Sequence, residues 1–144
     1  MTSHSTVMTA PVSLPAGTLL ALARRGLVEA MTLDRPGERY ATAHLAALRA
    51  AAAVLACRAR PAGNGRRSRP TSAWVLLAEV APELREWAGF FAAGARKRAA
   101  AEAGLPSAVT AREADDLVRD AETFLAVVET TLGFDGHQLL LASG

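Results

Sequence analysis

Thr110-Ala111-Arg112-Glu113-Ala114-Asp115-Asp116-Leu117 opens the segment whose start and buried face can both be read directly from the chain. A hydroxyl residue followed three positions later by glutamate is a capping box. The Thr110 oxygen accepts the N–H of Glu113, and the Glu113 carboxylate reaches back to the N–H of Thr110. Beyond it Leu117, Ala121, Phe124, Leu125, Val128 and Leu132 recur at three- and four-residue steps, one face of a helix that Gly133 ends. Glu113, Asp116 and Asp120 fall on the opposite face, together with Asp115 a dense acidic run that predicts a solvated surface. A metal site in a bundle would need inward-facing Glu and Glu-x-x-His pairs on several helices, so no metal or other cofactor is expected.

The same periodicity extends upstream. Leu20, Ala23, Leu27 and Ala30/Met31 predict a first helix over about 14–33. Asp34 to Gly37 breaks it, with Asp34 placed to cap and Pro36 to occupy the first turn of a second helix reaching about Arg60. Ala41, Leu45, Leu48, Ala52 and Leu55 give that helix a bundle seam. Residues 61–72 hold Pro, Gly, Asn, Ser and three arginines, the composition of a solvated loop. A third helical segment over 71–103 carries Leu77, Val80, Leu84, Trp87 and Phe91 as a core stripe. Pro82 lies inside it and predicts a kink or two abutting helices near Val80.

Composition agrees with an all-α, up-and-down bundle of four to five helices. Alanine is abundant and aromatic residues make up only 5% of the chain. At 144 residues the expected organisation is one domain over 14–133, with tails at 1–13 and 134–144. Cys57 is the lone cysteine, so an intrachain disulfide is excluded, and it reads as a small buried apolar residue. Met1 to Ser13 has neither a basic start nor an apolar centre, so no secretory signal is expected. The longest apolar run, Ala50 to Cys57, is eight residues, against roughly 20 needed to span a bilayer. A cytoplasmic protein without a membrane partner is the expectation.

The net charge of +2 conceals an asymmetry: residues 1–104 carry +7 and residues 105–144 carry −5. No acid separates Glu38 from Glu79. Arg39, Arg49, Arg58, Arg60, Arg66, Arg67 and Arg69 lie between them, a basic side to which any RNA or nucleotide phosphate would bind. The arginine bias of a GC-rich coding sequence accounts for the same residues without any ligand.

Catalytic signatures are sparse. Gly63-Asn64-Gly65 lacks the strand and the Lys-Ser/Thr of a phosphate loop, and His4, His44 and His137 have no metal spacing. One arrangement suits RNA cleavage: Arg39 and His44, with four residues between them, could hold a phosphate and move a proton near neutral pH. Five positions on a helix turn their side chains about 140° apart. Composition alone supplies about one Arg-x(4–6)-His match. Tyr40 and His44 do share a face, which makes a polar contact between helices the alternative.

Glu38-Arg39-Tyr40-Ala41-Thr42-Ala43-His44-Leu45-Ala46-Ala47-Leu48-Arg49-Ala50 resembles the second helix of a small subfamily of HEPN domains (higher eukaryotes and prokaryotes nucleotide-binding) from GC-rich bacteria. Ala81-Pro82-Glu83-Leu84-Arg85-Glu86-Trp87-Ala88-Gly89-Phe90-Phe91-Ala92 resembles its third helix, and Thr110 to Leu117 with Phe124-Leu125 its fourth. The resemblance implies a four- or five-helix bundle, frequently a homodimer, with roles in RNA cleavage, nucleotide binding or toxin–antitoxin pairs. Active members place the Arg-to-His motif at the start of the last core helix. Here that helix offers Arg112 and Arg119 without a histidine in reach.

Two functions stay open. One is a metal-independent endoribonuclease using Arg39 and His44, with Tyr40 beside them. The other, preferred, is a non-catalytic module that binds RNA or nucleotide through Arg49, Arg58, Arg66, Arg67 and Arg69. Such a module would otherwise pair with a second copy or with a nucleotidyltransferase-like protein.

Overall fold

The computed structural model describes residues 14–58, 72–105 and 108–134. They form α1 (Ala16–Thr32), α2 (Pro36–Arg58), α3 (Ala73–Val80), a 3-10 turn (Pro82–Leu84), α4 (Arg85–Glu102) and α5 (Ala111–Leu132), with no strand among the described residues. The all-α bundle expected from the sequence is the fold. Both expected tails, apart from Phe134, and the basic loop with Arg60, Arg66, Arg67 and Arg69 lie outside the described residues.

The helix signals act as chemistry requires. Thr110 Oγ1 accepts from Glu113 N–H at 3.1 Å and Glu113 Oε1 accepts from Thr110 N–H at 2.9 Å, so both halves of the capping box are made. Gly133 ends α5 with φ +80°, a left-handed conformation natural to glycine. Pro82 separates α3 from α4, and the break is a short 3-10 turn rather than a kink. Pro36 is the first residue of α2, but the carbonyl that receives Arg39 N–H belongs to Arg35, one residue after the expected cap at Asp34. Ser72 lies where the expected loop and the expected third segment overlap. Its hydroxyl accepts from Trp74 N–H and starts α3.

The core corrects two expectations about α2. Its buried residues are Tyr40, Ala43, His44, Ala46, Ala47, Ala50, Ala51, Ala53 and Val54. Leu45, Leu48 and Leu55, the expected seam, are only half-buried. The cause is position: α2 is packed along α1 on one side and α5 and α4 on others. Small alanines fill the close approaches, and leucines occupy the wider margins. Cys57 is exposed rather than buried, on the last turn of α2, where Ala56 and Arg58 are exposed as well. Met31 is likewise exposed at the end of α1, whereas Leu20, Ala23, Leu27 and Ala30 are buried as expected.

Alone among the described helices, α2 is long and apolar enough to cross a membrane by length and composition. In this fold that apolar character lines a protein core. An ion pair absent from the sequence reading, Arg24 with the buried Glu129, ties α1 to α5.

Candidate functional site

Consecutive helices α4 and α5 make almost no close backbone contact, although both pack on α2. Large rings bridge them at one end, where Phe91 and Phe124 lie 5.1 Å apart and Trp87 and Phe124 5.5 Å. At the other end the bridge is the Lys97–Glu113 ion pair. A cleft of about 410 Å³ opens between these supports. Tyr40 and His44 of α2 line it, with Phe90, Gly94 and Lys97 on α4 and Glu113, Asp116, Leu117 and Asp120 on α5.

Gly94 permits this arrangement. A Cβ there would stand 2.7 Å from the Tyr40 hydroxyl oxygen, so any larger residue displaces the phenol ring. Tyr40 and His44 lie nearly parallel, with ring centroids 6.3 Å apart, as their four-residue spacing on one helix allows.

The cleft also concentrates perturbed titration. Among the described residues, Glu83 is the lone group with a clearly shifted pKa that does not line it. Burial pushes the Tyr40 phenol up, and it pushes the His44 imidazole down despite the hydrogen bond to Phe91. Lys97 and Glu113 are moved apart by their mutual hydrogen bond, the ammonium upward and the carboxyl downward. Partial burial raises Asp120, and the neighbouring carboxylate of Asp116 raises it further. The Tyr40, His44 and Asp120 shifts come from burial, whereas those of Lys97 and Glu113 belong to a solvent-accessible ion pair and a helix cap.

The Arg39–His44 pair of the ribonuclease alternative is engaged elsewhere on both sides. Arg39 donates from Nε to the Leu33 carbonyl at 3.0 Å and from a terminal nitrogen to the Asp34 carbonyl at 3.3 Å, and it pairs with Asp115. It caps the end of α1 and joins the α1–α2 turn to α5. His44 is wholly buried, and its Nε2 contacts the Phe91 carbonyl oxygen at 2.9 Å. A carbonyl only accepts, so Nε2 carries the proton and Nδ1 keeps a lone pair without a partner. This is the inter-helix polar contact weighed above. Arg49 is half-buried on α2, and Arg58 pairs with Glu83 of the 3-10 turn.

The acidic face of α5 is not uniformly solvated either. Glu113 and Asp120 are half-buried walls of the cleft, while Asp116 is exposed and paired with Arg119. Sequence reasoning passed over Phe90, Gly94 and Lys97. The adjacent pair Phe90-Phe91 gives no local signal of which ring faces the cleft, since neighbouring helix positions can both be buried, as Phe124 and Leu125 are. Phe91 is buried and Phe90 is 46% exposed.

A family model described as SAV_6107-like HEPN matches residues 30–129 of this chain. No curated protein and no solved structure matches it.

Proposed function

This chain belongs to the HEPN family, and from that premise we propose that it works as a non-catalytic helical interaction module. The observation that carries the proposal is the state of His44. An imidazole that trades protons with RNA must reach the scissile phosphate and exist in both protonation states near neutral pH. His44 is shut inside the bundle, anchored to the Phe91 carbonyl and held neutral by burial. Arg39, its supposed phosphate-binding partner, is engaged with two carbonyls and Asp115. The nearest opening is walled by Glu113, Asp116 and Asp120, whose charges repel a phosphate backbone.

Purified protein incubated with total RNA in EDTA is therefore expected to leave the RNA intact, beside a His44→Ala control. Cleavage that disappears in the mutant overturns the proposal.

The partners follow the same premise: a second copy of the chain and a nucleotidyltransferase-like protein, in the cytoplasm. Exposed Val28 and Met31 on α1 supply an apolar surface for the first of these. Light scattering at micromolar concentration is expected to give twice the 15.0 kDa chain mass. A monomeric mass removes the homodimer from the reading. RNA binding through Arg49 and Arg58 is a weaker candidate, since Arg58 is already paired.

A further inference from the structure

The end of α5 turns the chain back onto α1. Gly133 takes a left-handed φ of +80°, and the next residue closes the reversal with a bond from Phe134 N–H to the Glu129 carbonyl at 2.8 Å, the pattern of a Schellman motif. Phe134 is half-buried against the core, and its ring covers Gly17, where an added Cβ would stand 3.3 Å from Phe134 Cε2. The described residues therefore end seated on the first turn of α1.

That seat heads a stripe along α1. At about 100° per residue, Ala21, Arg24, Val28 and Met31 all point within about 40° of the direction of Gly17. Arg24 is occupied by Glu129. Val28 and Met31 are 56% and 57% exposed. Beside them α1 and α5 leave a groove of about 150 Å³, lined by Leu27, Val28, Met31 and Leu125 together with Arg24 and Glu122. An apolar cavity of that size holds a benzene molecule, so the groove has room for one aliphatic side chain.

The residues after Phe134 lie outside the described ones, but their sequence fits this stripe in spacing. Asp135-Gly136-His137-Gln138 is polar, and Leu139-Leu140-Leu141 follows at once. The helical rise of about 1.5 Å per residue places Val28 about 17 Å and Met31 about 21 Å beyond Gly17. An extended chain advances about 3.3 Å per residue, which carries Leu139 about 17 Å and Leu141 about 23 Å beyond Phe134. Alternate residues of an extended chain point to one side, so Leu139 and Leu141 would face α1 together and Leu140 would face away.

We propose that the segment after α5 docks along α1 of its own chain, with Leu139 in the α1–α5 groove over Val28 and Leu141 over Met31. A tether of four residues holds the leucines at an effective concentration of about millimolar, well above a second copy present at micromolar concentration. The consequence rests on the interaction reading above, which gives Val28 and Met31 to a second copy. The docked segment guards that surface, and self-association has to displace it.

The test is paramagnetic broadening in the full chain. A nitroxide on Ser143→Cys, in a Cys57→Ser background that removes the other thiol, is expected to broaden the amides of Val28, Met31 and Glu122. It is expected to spare Val75 and Phe90, exposed positions on α3 and α4. Leu139→Ser with Leu141→Ser is expected to abolish the broadening, whereas Leu140→Ser leaves it in place. None of these changes alters a core residue. In a dilution series followed by light scattering, the double serine variant is expected to dimerise at least about tenfold more tightly than wild type, the gain from freeing a groove filled about nine-tenths of the time.

Broadening confined to other surfaces, or surviving the double serine variant, would overturn the proposal. Loss of broadening in Leu140→Ser would overturn the register. Mixing spin-labelled chains with isotope-labelled ones that carry no nitroxide separates the two sources of docking: broadening of Val28 in that mixture as strong as within one chain would mean a second copy supplies the segment, and would overturn the proposal too. Unchanged dimer affinity in the double variant would remove the guarding role. A monomeric mass for both proteins removes the homodimer of the interaction reading, while docking stands or falls on the broadening alone.

Discussion

Phe91→Ala is expected to destabilise the protein by about 3–5 kcal/mol, the range for truncating a fully buried phenyl ring. Phe91 is the ring that the others share. Its centroid lies 4.9 Å from Phe90, 5.1 Å from both Trp74 and Phe124, and 6.0 Å from Trp87. Those contacts join α3, α4 and α5, and removing the ring leaves a cavity where three helices meet. Backbone packing cannot close it, because α4 and α5 are held together there by side chains rather than by close backbone approach. A domain of this size is stable by only about 5–15 kcal/mol, so the loss is a large part of the whole. Urea unfolding followed by circular dichroism measures it. Phe90→Ala, at the exposed neighbouring position, is the comparison and should cost under about 1 kcal/mol. A Phe91→Ala loss as small as that would mean the aromatic cluster does not hold the bundle together.

The elements that were legible in the chain are those whose signals are local. The start of α5 is encoded within four residues, since Thr110 and Glu113 cap each other whatever else folds around them. Pro82 interrupts the third segment for an equally local reason, the ring and the missing N–H. The buried face of α2 was misjudged because alanine carries no directional message: it suits a core, a helix interface and a surface alike. Leucine spacing was followed instead, and the leucines proved to be margin residues. Glu129 is buried against Arg24, 105 positions away, a pairing that no local pattern announces. Arg39 shows the same limit, because its partner Asp115 is 76 positions distant and turns a candidate catalytic group into a clamp.

The cleft illustrates the limit most clearly. Phe90, Gly94 and Lys97 come from one helix, Glu113, Asp116 and Asp120 from another, and Tyr40 and His44 from a third. Nothing in their order along the chain says that α4 and α5 stand apart. That separation follows from alanines drawing both helices onto α2 while large rings hold them off one another at a single end. Only once the gap exists does the acidic stripe of α5 become a wall, with Asp120 half-buried in it.

His44 is expected to make the protein lose stability as pH falls below about 6.5. Burial lowers its pKa in the fold, whereas in the unfolded chain it titrates near its ordinary 6.5. Between those two values the unfolded state binds a proton that the folded state refuses. Stability therefore declines with falling pH, by up to about 1.4 kcal/mol per unit, and this decline stops once the folded-state pKa is passed. Above 6.5 the group contributes no slope. The refusal has a structural cause: protonation would create an N–H at Nδ1, which has no acceptor, inside a ring of Tyr40, Trp74 and Phe91. Arg98 opposes the added charge, and Glu102 offsets it in part. Asp120 runs the other way, since its raised pKa makes protonation favour the fold, but it acts nearer the carboxylate range. Urea midpoints at pH 7.5, 6.5, 5.5 and 5.0 resolve the effect. His44→Gln supplies the comparison, because its amide can still donate to the Phe91 carbonyl yet does not titrate. The wild-type curve should fall across this interval while the variant's stays nearly level. Parallel curves would show that His44 is protonated as easily inside the bundle as outside it, and its place in the core would need another explanation.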